Sequence, residues 1–177
     1  MPPSRDAPGG PSRRLPLLLL VIGAALLVAR IGTGIREQRS PPELRDRVTW
    51  HPIASAEADS RRSGRPILYD FSAEWCGPCK LMAAEVFADD RTARTLNEMF
   101  VPVRVVDRAR EDGKNPPEVQ ALQNRFRVEA FPTLVVYAPE TGRHGTITGY
   151  PGRAAVIQEL TQTAVRLHTG GGETDSR

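Results

Sequence analysis

Residues 66–80 read PILYDFSAEWCGPCK, and what this stretch can form decides the fold. Ile67 to Phe71 is a short apolar run led in by Pro66, too short for a helix and of the length of a strand buried on both faces, except that Asp70 puts a charge in its middle. A brief turn leads to Cys76-Gly77-Pro78-Cys79. From Pro78 the apolar spacing becomes helical, with Leu81, Met82, Val86 and Phe87 expected on one stripe. Proline costs nothing in a first helical turn, because the N–H it lacks has no partner there. The two cysteines therefore open a helix that follows a buried strand.

The chain has 177 residues and 2 cysteines. Two cysteines cannot make a disulfide-dense scaffold or a four-thiolate metal site, so they do chemistry or nothing. A thiolate is the nucleophile of disulfide exchange, and the free N–H groups and partial positive charge of a helix start lower a thiol pKa. Cys76 has that position and reads as the attacking thiol. Cys79 lies one turn further on the same face and reads as the resolving thiol, close enough to attack a mixed disulfide on Cys76. His51, His144 and His168 have no ligand spacing relative to the pair and read as surface residues, which favours redox chemistry over a metal site. No cofactor is expected beyond the dithiol itself.

Outward from the pair, Ile53 to Arg62 is expected as a helix stopped by Gly64. Asp89-Asp90 caps a helix to about Phe100, with Leu96 and Met99 inward. Val101 to Val106 reads as a strand in which Arg104 is solvated, Asp107 to Pro117 as a loop, and Glu118 to Phe126 as a short helix. Thr133 to Tyr137 is a strand and Gly145 to Tyr150 an alternating edge strand joined to it by a turn at Gly142. Ala154 to Leu167 closes the domain as a helix. The order α-β-α-α-β-α-β-β-α predicts an α/β fold, a mixed sheet with helices on both faces.

At this point the residues carry a resemblance. PILYDFSAEWCGPCK is similar to the active-site strand, turn and helix of thioredoxins, and Phe131-Pro132-Thr133 resembles their cis-proline loop. The likeness spans about residues 50–167 and implies a thioredoxin fold. It implies that Asp70 is a buried carboxylate that accepts the proton of Cys79, with burial raising its pKa toward neutrality. It implies further that Pro132 is cis and faces the site, leaving the Phe131 backbone free to pair with an extended substrate segment. Trp75 is expected to shield the site, Gly149 to flank the groove, and Gly77, Pro78 and Lys80 to complete the motif. Phe131 departs from the smaller aliphatic residue the family more often has before that proline. Trp50, the Ala-rich helix before the motif, VFADD and the insertion 110–117 look more like the C-terminal periplasmic domain of bacterial transmembrane thiol:disulfide interchange proteins. Gly-Pro between the cysteines resembles the reducing members, so the expectation is a protein-disulfide reductase acting on disulfide-bearing proteins.

The remainder of the chain bears on location. Residues 1–14 read as a disordered, basic n-region, and 15–35 as an apolar segment in which Leu15 to Ala29 is uncharged. With Arg30 snorkelling, this segment approaches the ~20 residues of a bilayer span. No small-residue pair of the A-x-A type follows Leu27, so the segment reads as an uncleaved signal-anchor in preference to a cleaved signal peptide, which stays the alternative. Residues 36–47 are expected as a solvated spacer, 48–168 as the domain and 169–177 as a frayed tail. Residues 1–47 hold eight arginines against four acids, while the rest is near neutral. That balance and 6% aromatic residues exclude a nucleic-acid-binding face. Arginines after the segment outnumber those before it, which by the positive-inside rule keeps the domain cytoplasmic. The likeness to interchange proteins argues instead for a single-pass protein of the bacterial inner membrane with its domain in the periplasm. There it would serve exported proteins or cytochrome c maturation and draw electrons from a separate membrane donor. The alternatives are a cytoplasm-facing thioredoxin and a tethered binding or holdase module without redox turnover.

Overall fold

The computed structural model of the chain describes residues 46–169. The apolar segment 15–35, nearly all of the spacer and the tail beyond Thr169 lie outside the described residues. Among the described residues no helix is long and apolar enough to cross a membrane.

The chain order is α1 (Ile53–Ser63), β1 (Ile67–Ala73), α2 (Gly77–Met82) running into a π-helical turn (Ala83–Phe87), α3 (Asp90–Met99), β2 (Val101–Asp107), α4 (Ala109–Asp112), α5 (Pro117–Phe126), β3 (Thr133–Ala138), β4 (Arg143–Thr148) and α6 (Arg153–His168). The four strands form one mixed sheet in the order β2-β1-β3-β4. β1 is parallel to β2 and antiparallel to β3, and β4 is antiparallel to β3. Parallel neighbours need a long crossover, which α2, the π-turn and α3 supply.

Alternation along β1 sorts the core. Ile67, Tyr69 and Phe71 pack with Val103, Val105 and Val135 under Ala56 of α1 and Leu122 and Phe126 of α5. Leu68 goes to the other face with Leu134 and Val136, against Met82, Val86 and Phe87, Leu96 of α3, and Val156 and Leu160 of α6. Asp70 shares Leu68's face by the two-residue period of the strand. Its side chain is therefore directed to the layer built from the helix that Cys76 opens.

Four local expectations change. Leu81 is half exposed, because after Met82 the chain widens to a π-turn in which the Ala88 N–H bonds the Ala83 carbonyl; Met82, Val86 and Phe87 are buried and Leu81 faces outward. The stretch expected as loop from Asp107 carries a short helix, α4, and Asp107 itself ends β2 and is buried. Asn115 and Gln123 both donate to its Oδ2, at 2.5 and 2.8 Å, and this network pins the insertion. β4 ends at Thr148 rather than Tyr150, because Gly149 turns to a φ of 83° and donates its N–H to the Pro132 carbonyl at 2.8 Å. His51 is half-buried, not a free surface residue: its Nδ1 lies 2.8 Å from Asp59 Oδ2.

Candidate active site

β1 ends at Ala73, and the Cys76 N–H bonds the Ala73 carbonyl at 3.1 Å, which closes the turn between strand and helix. Cys76 is the N-cap of α2 with extended backbone, and its Sγ accepts the Cys79 N–H at 3.1 Å. Pro78 lies in the first turn, where the missing N–H is harmless. Cys76 and Cys79 are joined in a disulfide with their Cα atoms 5.3 Å apart, and both are buried with Ala73 against Phe131. Gly77, Pro78 and Lys80 are exposed around them.

The Phe131–Pro132 peptide is cis, and Pro132 is buried. Thr133 starts β3, buried, with its hydroxyl donating to the Ala130 carbonyl at 2.8 Å. The Phe131 backbone has no hydrogen bond among the described residues. Phe131 meets Trp75 edge-on at 5.9 Å, and Trp75 remains 47% exposed. Arg110 of α4 lies over that indole at 5.6 Å from its centre, while Arg108 bonds Glu74 at 2.6 Å. The insertion thus borders the site. Gly149 is tied to the cis turn through its bond to the Pro132 carbonyl, and next to it the Tyr150 hydroxyl donates to Glu85 of the π-turn at 2.5 Å.

Asp70 is 1% exposed. Burial pushes its carboxyl up to about 6, with the Arg104 guanidinium pulling against that and Asp46 adding to it. Oδ2 accepts from Arg104 Nε at 3.3 Å, while Oδ1 is buried without a hydrogen-bond partner among the described residues. An acceptor left bare in a dry setting favours the protonated form. Arg104, expected in solvent, is instead the in-register neighbour of Asp70 across β1 and β2. It also bonds Asp46 at 2.6 Å and lies 4.0 Å over the Trp50 ring. One signal for this pair was present in the sequence. ILYDF and VPVRVV are both buried strands with a single charge in the middle, of opposite sign, and adjacent strands bring such charges together.

A sequence description of the family called Thioredoxin-like domain matches residues 53–164. The chain belongs to this family. The thioredoxin-like chain is 34% identical over 116 residues to the thioredoxin of Mycobacterium tuberculosis, covering 65% of this chain and 88% of that one. A solution structure of a thioredoxin from Thermus thermophilus matches with a TM-score of 0.59 at 30% identity, covering 73% of this chain and 98% of that one. The thiol:disulfide interchange protein DsbD of Yersinia pestis is 25% identical over 157 residues, which is 82% of this chain but 24% of that longer protein. The fold is the thioredoxin fold, and the protein is a thioredoxin-like thiol oxidoreductase with its disulfide between Cys76 and Cys79.

Proposed function

We propose that this oxidoreductase is a protein-disulfide reductase tethered to the bacterial inner membrane by residues 15–35, with the thioredoxin-like domain on the periplasmic side. The observation that carries the reaction is the Cys76–Cys79 disulfide at the start of α2, packed against Phe131 of the Phe131–Pro132 turn. In the reduced protein the Cys76 thiolate attacks one sulfur of a substrate disulfide, forming a mixed disulfide and expelling the other substrate sulfur as a thiolate. The Cys79 thiol gives its proton to Asp70, whose bare Oδ1 is free to take it. The Cys79 thiolate then attacks Cys76 Sγ, which reforms the Cys76–Cys79 disulfide and releases the second substrate thiolate. Two electrons have passed to the substrate, and a dithiol donor in the membrane returns them. No bound cofactor takes part. An extended substrate segment lies along the Phe131 backbone between Trp75 and Gly149.

Placement outside the cytoplasm draws support from the match to DsbD of Yersinia pestis, which extends over more of this chain than the matches to free thioredoxins do. The arginines that follow residue 29 favour a second reading, in which the same domain faces the cytoplasm. One experiment separates these. Cys79→Ala leaves Cys76 unable to resolve, so mixed disulfides accumulate on Cys76 in cells. Trapped exported proteins or cytochrome-maturation factors support the proposal, trapped cytoplasmic proteins support the second reading, and no trapped protein refutes reductase turnover.

A further inference from the structure

Arg104 is held between two carboxylates. Its Nε faces Asp70 Oδ2 at 3.3 Å, and its Nη1 faces Asp46 Oδ2 at 2.6 Å. The guanidinium lies 4.0 Å over the Trp50 ring and 5.5 Å from the centre of the Phe87 ring, and these two rings meet edge-on at 5.1 Å. A cation over an aromatic face, with carboxylates at both ends, has little freedom to turn. Asp46 is held in its turn, because Trp50 Nε1 donates to its Oδ2 at 2.7 Å and the Val48 N–H to its Oδ1 at 3.1 Å. The stretch is fastened to the domain behind this point, with the Arg47 N–H on the Phe87 carbonyl and Val48 buried. Asp46 and Arg47, read from the sequence as the end of a solvated spacer, are therefore docked beside the redox layer.

We propose that Asp46 is a positioning residue of the redox site: with Trp50 it fixes where the Arg104 guanidinium sits against Asp70, and so governs how readily Asp70 takes the proton of the Cys79 thiol. The inference rests on the proton-accepting role given to Asp70 above. It makes the stretch that leads from the N-terminal segment into the domain part of the catalytic balance. A guanidinium shared with a second carboxylate stabilises the Asp70 anion less than one committed to it alone, and the Asp46 charge itself opposes that anion. Arg104 and Asp46 are the charged groups that act on Asp70 among the described residues. β3 opposes it with Leu134, and the core on the sheet face it shares with Leu68 is apolar, with Met82, Val86 and Phe87 among its members. From α2 the titratable groups are the thiols of Cys76 and Cys79 once reduced, Lys80 being exposed.

Two readouts on the reduced full-length chain test this. The first is the titration of the Asp70 carboxyl carbon by NMR. The second is the pH–rate profile for release of 5-thio-2-nitrobenzoate from its mixed disulfide on Cys76, which reads the attack by Cys79. Asp46→Asn is expected to move both midpoints to lower pH by about half a unit or more, as loss of a nearby like charge does. Asp46→Glu keeps the charge and is expected to titrate with the parent. Trp50→Phe keeps a ring under Arg104 but loses the donor to Asp46, and is expected to shift in the same direction by less. An Asp70 titration unmoved by Asp46→Asn overturns the proposal, as does an equal change in release rate when Asp46→Asn is placed in an Asp70→Asn background. If the titration moves but Asp70→Asn leaves the release rate untouched, the role given to Asp70 falls, and the link from Asp46 to Cys79 falls with it.

Discussion

Replacing Asp70 with Asn should remove a pH dependence from the stability of the oxidised protein. Burial raises the Asp70 carboxyl from 3.8 to about 6, outweighing the pull of Arg104. Below the lower value the group is protonated both folded and unfolded and contributes nothing. Between the two values the folded protein keeps a proton that the unfolded chain has released, so stability falls as pH rises; above the upper value the loss is complete. At 1.36 kcal/mol per pH unit the gap corresponds to about 3 kcal/mol. With 1% exposure, solvent does not screen this figure away. Other carboxylates act in the opposite sense. Asp59 is held down by His51, Asp89 by Thr92 and Asp112 by Arg108, while at Asp107 burial is outweighed by bonds from Gln123 and Asn115. Their stabilisation is lost as pH falls through their lowered values, and it is common to both proteins. Subtraction therefore isolates Asp70. Urea unfolding of parent and Asp70→Asn, followed by fluorescence, should show the variant gaining about 3 kcal/mol relative to the parent between about pH 4 and pH 7.5. The constant cost of an imperfectly bonded amide shifts the whole difference curve but not its slope. Parallel stability curves for the two proteins would refute the reasoning, because Asp70 would then ionise equally easily folded and unfolded.

Two other perturbations test how the surroundings are held. Asn115→Ala removes the acceptor of the Arg108 N–H and one of the donors to the Asp107 carboxylate; it should cost about 1–3 kcal/mol and speed amide hydrogen exchange across residues 108–115, and an unchanged urea midpoint would count against the network. Gly145→Ala sets a Cβ 2.5 Å from Thr163 Cγ2, where β4 meets α6. The expected cost of about 1–3 kcal/mol should fall in a Thr163→Ser background, which lacks that methyl; equal costs in both backgrounds would locate the strain elsewhere.

The dithiol and its supports were legible because their signals are local. Cys-Gly-Pro-Cys after an apolar run needs only the periods of strand and helix to place it, and Gly64 and Asp89 mark helix ends by their own backbone and side-chain preferences. The cis bond at Pro132 was reached by resemblance, not by any local signal. Errors fell where tertiary context set the backbone. The π-turn at Ala83–Phe87 has no distinguishing composition, and Met82, Val86 and Phe87 share one core across it while Leu81 faces outward. The early end of β4 follows from the bond that Gly149 makes to Pro132, seventeen residues back in the chain.

Arg104 shows the limit most clearly. By residue type, an arginine in a strand is best read as solvated, and its 31% side-chain exposure agrees in part with that reading. Its neighbours decide otherwise. A strand that carries Asp70 inward cannot bury that charge beside an apolar residue on both sides, and β3 already offers Leu134. The compensating charge had to come from β2, in the parallel register that sets Asp70 opposite Arg104. Once Arg104 is turned toward the layer under α2, its outer end needs a partner as well, and a solvated spacer would leave that end to water. Asp46 and Trp50 fill that place. The buried acid therefore accounts for the docking of the entering stretch, step by step, although no residue between 46 and 50 carries a redox signature of its own.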